Sequence, residues 1–337
     1  MVTVSVIIPN YNRAQVIGET IANMLQQTLP PHQLIVVDDG STDDSVDVIK
    51  SFGDRVTLIQ QPNRGPGAAR NAGLRIATGE FIQFMDSDDL ASLNKLEVQA
   101  QALTQHQADI VYGPWAKAWM RDRHIRLDNV VLQQNSLPSH RHPLHWFLTS
   151  WSMVFQQCLV RRSALEAVGY YREDMRLYED SEYFLRLLLS GVSLIHESQT
   201  LTIYRLNDFG KLTGSGQHSR SGVMSKALFY DVALREIMYR PEFTLVLQDG
   251  IFCENIWKSI CELQGQNISV PHKSLPSLSE FEFRYSHAYL NIQAWIRQKQ
   301  KGLQQRIKGH RWDNSYQTGK ITVWQRNLIR SMGLFLN

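Results

Sequence analysis

Four short segments within the first 85 residues limit what this chain can fold into. Residues 2–9, 34–37, 56–59 and 81–84 are mostly β-branched, aliphatic or aromatic, with few polar interruptions. Runs of this kind fit strands buried on both faces of a parallel sheet. Helical patterns lie between them. Residues 16–27 place Ile17, Ile21, Met24 and Leu25 on one face. A second helix runs through Ile49, with Ser41 or Thr42 as its cap and Asp43 and Asp44 in its first turn, where acids favour the helix dipole. Residues 68–77 form a third, built of small side chains. The order β-α-β-α-β-α-β predicts an α/β fold with a doubly wound, mostly parallel sheet.

The strands end in polar groups. Asn10-Tyr11-Asn12-Arg13 follows the first, Asp38-Asp39-Gly40-Ser41 the second and Asp86-Ser87-Asp88-Asp89 the fourth. Open α/β sheets bind ligands at this carboxyl edge. Asp86 and Asp88 are two residues apart, so extended backbone points both the same way. With no Lys or Arg nearby in sequence they repel each other unless a cation intervenes. Mg²⁺ and Mn²⁺ are hard cations that take such oxygens and share them with substrate phosphates. An Asp-rich turn capping the next helix fits the same residues. After the third strand, Asn63-Arg64-Gly65-Pro66-Gly67 leads into the helix carrying Arg70, suited to approach a phosphate. Its glycine spacing is not that of a dinucleotide fingerprint.

Further along, a helix is expected over 93–106, a strand over 110–113 and a hairpin over 115–126. His140, His142 and His145 lie in a polar stretch; no acid or cysteine joins them, which favours a solvated loop over a metal site. Residues 151–160 are apolar around Gln156 and Gln157. Glu179, Asp180 and Glu182 crowd the start of an apolar helix that Gly191 ends. They cap its dipole or supply a general base at a pocket mouth. Residues 207–220 form a Gly/Ser/Lys-rich loop, a candidate lid. From about residue 224 long helical patterns take over, with one over 279–305 and a short apolar-basic one over 320–336. The expected division is therefore 1–223 and 224–337.

The net charge of +3 gives no reason to expect a nucleic-acid partner. The charge is uneven, however. From Arg297 onward nine basic residues face the single acid Asp313, with Trp312 and Trp324 among them. Such a tail fits an anionic membrane surface, or simply a solvated helix face. Three cysteines, Cys158, Cys253 and Cys261, form no C-x-x-C pair and no even disulfide set. With no basic leader and no membrane-length apolar run, a reduced, cytoplasmic protein is expected, in peripheral contact with the inner face of the membrane if the tail binds lipid.

Together these motifs resemble the family-2 inverting glycosyltransferases of GT-A fold. The resemblance rests on Val4–Asn12, Val36–Asp43, Asn63–Gly73, Asp86-Ser87-Asp88-Asp89 and Glu179-Asp180, in the family's order over roughly the first 220 residues. It implies a nucleotide-diphosphate sugar donor, most naturally UDP-linked, and a glycan or lipid-linked acceptor. Pro9, Tyr11, Asp38, Asp39, Arg70 and Asp86 would then bind the nucleotide. Asp88, with Asp86, would hold Mn²⁺ or Mg²⁺, and Asp89 would cap the helix after it. Asp180 would be the catalytic base, with Glu179 and Glu182 as rivals. The Q-x-x-R-W motif of processive membrane synthases is absent, which implies transfer of one or a few sugars. A sugar-nucleotide nucleotidyltransferase and a non-catalytic nucleotide-sugar-binding scaffold are the alternatives. The first should carry a Gly-rich loop directly after the first strand, where this chain has Asn10-Tyr11-Asn12-Arg13.

Overall fold

The structure is a computed structural model that describes residues 2–121, 124–206, 220–247, scattered positions between 249 and 262, and 318–336. The candidate lid over 207–220, apart from its last residue, lies outside the described residues, as do Cys253, Cys261, the helix expected over 279–305 and most of the basic tail.

The first half alternates as expected: β1 (Val4–Asn10), α1 (Ile17–Leu25), β2 (Gln33–Asp38), α2 (Ser45–Lys50), β3 (Thr57–Gln60), α3 (Pro66–Ile76) and β4 (Phe81–Phe84). β1 pairs in parallel with β2 on one side and β4 on the other, and β3 extends the sheet beyond β2. Pro9 is tolerated in this central strand because β4 stops pairing at Ile7, so the missing N–H costs no bond on that side. α3 lies close on β1: a Cβ at Gly73 would sit 2.5 Å from Ile7 Cγ2.

The chain continues through β5 (Leu90–Ala91), α4 (Lys95–His106), β6 (Ile110–Tyr112), β7 (Trp115–Arg121), β8 (His124–Leu132), α5 (Pro143–Thr149), β9 (Cys158–Arg161), α6 (Arg162–Val168) and α7 (Glu179–Leu189). It then forms β10 (Leu194–His196), β11 (Thr202–Arg205), α8 (Arg220–Ile237), α9 (Thr244–Leu247), β12 (Thr318–Gly319), α10 (Val323–Ser331) and β13 (Phe335–Leu336). The main sheet runs β10-β6-β9-β4-β1-β2-β3, parallel except where β9 runs antiparallel to β4 and β6. The expected parallel-rich α/β sheet is therefore present.

A second sheet, β12-β8-β7-β11-β5, stands beside it, with β13 also paired to β8. α8 buries Phe229, Ala233 and Ile237 in the same core as Phe184 and Leu188 of α7. The helix expected over 320–336 is shorter than that span. Thr322 and Gln325 close a capping box at its start, and Gly333 (φ 72°) turns the chain back into β13. Ile329 and Leu334 then pack on Ala116, Ala118 and Ile125. Among the described residues no helix is long and apolar enough to cross a membrane.

The C-terminal segment is thus sealed to the second sheet by a fully buried isoleucine. Ile329→Ala should cost about 2–5 kcal/mol. A thermal or denaturant melt indistinguishable from that of the parent protein would contradict this docking.

Candidate active site

The carboxyl ends of β1, β2 and β4 and the N-termini of α3 and α7 surround a cavity of about 480 Å³. At its floor Arg70, only 6% exposed, bridges two acids. Its Nη1 lies 2.7 Å from Glu179 Oε1 and its Nη2 lies 2.9 Å from Asp86 Oδ1. Burial works against the guanidinium charge, but Asp86 and Glu179 outweigh it and raise the Arg70 pKa. Burial likewise pushes Glu179 up to about 7, against the pull of Arg70. Asp86 is held on its other oxygen as well, where Oδ2 accepts from Gln156 Nε2 at 3.2 Å.

The head of α7 sets the acids apart from one another. Tyr178, in the left-handed region at φ 62°, turns the chain into the helix, an uncommon conformation for a bulky residue. Asp180 follows in the first turn, half-buried in the cavity wall, where its Oδ1 accepts from Ser181 N at 2.6 Å. Burial raises its pKa; Arg70 opposes the shift and the charge of Asp86 adds to it. Glu182 is tied up elsewhere, its two oxygens bound to Arg186 at 2.9 and 3.0 Å.

At the other end of the cavity, Asp39 shapes the turn after β3. It accepts from Arg64 N at 2.9 Å, Gly65 N at 2.8 Å and Gln61 Nε2 at 2.8 Å. Gly65 has φ 95°, which suits glycine, and a Cβ there would lie 3.1 Å from Arg176 Nη1. Pro9 lines the wall and Tyr11, 44% exposed, stands beside it. Asp38 lies outside the cavity. It is 1% exposed and accepts from Asn10 Nδ2 and from Ser41 N and Oγ. Its carboxylate braces two loops and has no face toward a ligand.

Asp88 also lines the cavity, with Oδ2 3.7 Å from Arg13 Nε. Among the described residues no three His, Cys, Asp or Glu side chains converge as a metal cage. Two carboxylates, Asp86 and Asp88, line the same cavity and would suit a hard cation that completes its shell with substrate oxygens. The three histidines work separately. His142 Nδ1 accepts from Leu144 N at the start of α5, His145 bonds Asp249, and His140 packs edge-on against Trp146. Asp89 caps no helix: β5 follows it, and its buried carboxylate accepts from Arg205 N and from Gln156 Nε2.

Residues 5–169 match the family described as glycosyl transferase family 2. That segment carries a domain of this family. An uncharacterized glycosyltransferase of Haemophilus influenzae is 29% identical over 235 residues, 68% of this chain and 88% of the relative. Two solved structures share the GT-A type of fold at 18% identity. The 1–349 fragment of S. aureus TarS in complex with UDP-GlcNAc gives a TM-score of 0.56 over 86% of this chain and 79% of its own. The mannosyltransferase PcManGT of Pyrobaculum calidifontis, in complex with GDP-Man and Mn²⁺, gives 0.55 over 87% and 83%.

In this glycosyltransferase the cavity brings together Pro9, Tyr11, Asp39, Arg70, Asp86, Asp88, Glu179 and Asp180, all singled out from the sequence. It also contains residues that sequence reasoning passed over: Arg13, Arg176 and Tyr204 on the walls, with Gln156 behind Asp86. Gln156 left a signal as a polar residue inside an apolar run, and Arg13 as the end of the polar loop after β1. Replacing Arg70 with Met would leave Glu179 buried without its cation, at a cost of about 3–5 kcal/mol at pH 8. The lone carboxyl would titrate above its unfolded value. The penalty is then full above the folded pKa and shrinks as pH falls toward 4.5. Melts of the parent protein and Arg70→Met at pH 8 and pH 5.5 check this; a stability gap independent of pH would contradict it.

Proposed function

We propose that this chain is an inverting glycosyltransferase that moves a sugar from a nucleoside-diphosphate donor, preferably UDP-linked, to a hydroxyl of a glycan or lipid-linked acceptor. The observation that carries this reading is the convergence of Asp86, Asp88, Arg70 and Asp180 on one cavity from three separate segments. The Tyr11 ring offers a stacking face for the base, and Asp39 an acceptor for a ring N–H such as uracil N3–H. UDP-GlcNAc in TarS and GDP-Man in PcManGT support a nucleotide-sugar donor in general. Arg13 and Arg176 add positive charge to the walls, favourable to a diphosphate.

Asp88 and Asp86 would hold Mn²⁺ or Mg²⁺ beside that diphosphate. When bound, the cation neutralises charge that builds on the leaving group. The protein's own part is proton removal and positioning. Of the three acids at the head of α7, Glu182 is paired to Arg186 and Glu179 to Arg70, which leaves Asp180 for the acceptor. Its carboxylate takes the acceptor hydroxyl proton as that oxygen bonds to the anomeric carbon. The bond from that carbon to the diphosphate oxygen breaks, and its electron pair leaves with the nucleoside diphosphate. Attack from the face opposite the leaving group inverts the centre. Arg70 acts as a positioning residue: it fixes Asp86 toward the donor and keeps Glu179 off the acceptor.

Asp180→Asn should lower transfer by roughly 10²–10⁴-fold while UDP affinity stays within a few-fold of the parent value. An active Asp180→Asn enzyme would exclude this base. Because the working form is the carboxylate and its pKa is raised, kcat/KM should fall on acidification at a pH above the ordinary 3.8. An acid limb at or below that value would place the base elsewhere. Asp88→Ala, or EDTA on the parent enzyme, should abolish transfer and leave the melting temperature of the unliganded protein unchanged. Undiminished turnover in EDTA would remove the cation from the scheme. A panel of sugar nucleotides scored by thermal stabilisation in Mn²⁺ separates uridine from guanosine donors.

A further inference from the structure

The second sheet presents two unlike faces. One is covered: Ala116, Ala118, Met120, Ile125 and Val131 point toward Ile329 of α10 and Leu334. The other carries the alternate residues of the same strands. Residues paired across adjacent strands share a face, so the register defines its rows. Tyr204 pairs with Lys117, Trp119 with Arg126, Arg121 with His124, and His124 with Phe335. Trp119 is 39% exposed and Phe335 61%, and Arg121, His124 and Arg126 are exposed too.

This face begins at the donor cavity. Tyr204 lines that cavity and sits 6.1 Å, edge to face, from the ring of Trp115. Lys117 lies over Trp115 at 5.9 Å, Arg126 over Trp119 at 4.6 Å, and His124 against Phe335 at 5.6 Å. Aromatic rings and cations thus alternate outward from the cavity wall: the ring of Trp115 is buried beside Tyr204, and those of Trp119 and Phe335 are exposed. From Lys117 to Arg121 the strand covers about 13 Å, enough for more than one sugar ring. On the outward side of β7 and β8 the described charged residues are Lys117, Arg121, His124, Arg126 and one acid, Asp128.

We propose that this open face is an acceptor track for an anionic glycan. An aromatic ring packs against the apolar C–H face of a sugar, and guanidinium groups pair with carboxylate or phosphate substituents. A glycan is favoured over a lipid surface because the strip runs into the cavity where the sugar is transferred. The exposed apolar side chains of α10, Val323 and Trp324, belong to the helix that covers the opposite face. The inference deepens the donor-site reading above and rests on it for direction, since one end of the track must meet the transferred sugar.

The test uses the full chain, hexagalacturonate as the anionic probe and maltohexaose as the neutral one, with affinities measured by calorimetry. The parent protein should bind hexagalacturonate at least tenfold more tightly than maltohexaose. Trp119→Ala and Arg126→Ala should each weaken hexagalacturonate binding fivefold or more. Arg330→Ala, which removes one charge from α10, should leave it unchanged. UDP affinity, measured on the same samples, should be equal in all four proteins. Equal weakening by Arg330→Ala, no effect of Trp119→Ala, or no binding of the hexamer by the parent would overturn the track. So would loss of binding to phosphatidylglycerol vesicles alone in the Trp119 and Arg126 variants. If UDP fails to bind while the hexamer still depends on Trp119 and Arg126, the donor reading falls and the glycan-binding face remains.

Discussion

A single buried guanidinium holds this site together. Arg70 reaches Asp86, 16 residues away, and Glu179, 109 residues away, and so ties α3, the end of β4 and the head of α7 into one wall. Burying a charge is costly unless its partners are well placed. Here two carboxylates meet it at hydrogen-bond distance, and the ring of Tyr171 lies 5.5 Å from the guanidinium carbon. The same contact divides the labour among the acids. Glu179 is consumed by the pairing, Asp86 is oriented by it, and Asp180, next in the chain, is left facing the cavity.

Around that centre the two sheets do different work. The parallel strands of the main sheet deliver loops to one edge, and their buried, β-branched faces leave little freedom in how those loops emerge. The second sheet adds a wall through Tyr204 and is fastened by Arg205. The Arg205 backbone N–H reaches Asp89, and its side-chain Nε reaches the Asp88 carbonyl at 2.7 Å. The Asp86–Asp89 turn is therefore held, through the Asp88 carbonyl and the Asp89 side chain, by a residue more than a hundred positions further along. The C-terminal segment closes the covered face of the second sheet.

Much of this was legible in the amino-acid sequence. Strand burial and helix periodicity are local properties, so β1 to β4 and α1 to α3 could be read directly. The acids at the strand ends could be read for the same reason, because a sheet edge gathers whatever follows its strands. Long-range pairings could not. Nothing local says that Asp89 receives the backbone of Arg205 rather than capping a helix, or that Asp38 turns inward to Asn10. Gln156 and Arg13 act through neighbours distant in sequence. The last helix is shorter than its sequence suggests, because the apolar spacing continues past Ser331 while Gly333 and pairing with β8 end it. The open face of the second sheet was equally hidden, since it depends on the register of four strands.

The most direct test of Asp180 as base in a single displacement is the anomeric configuration of the product. Proton NMR of the purified product, made from an α-linked UDP-sugar that the enzyme turns over, reads this from the H1–H2 coupling. A β-linked product is expected. A product that keeps the α configuration would contradict single displacement and, with it, the role given to Asp180.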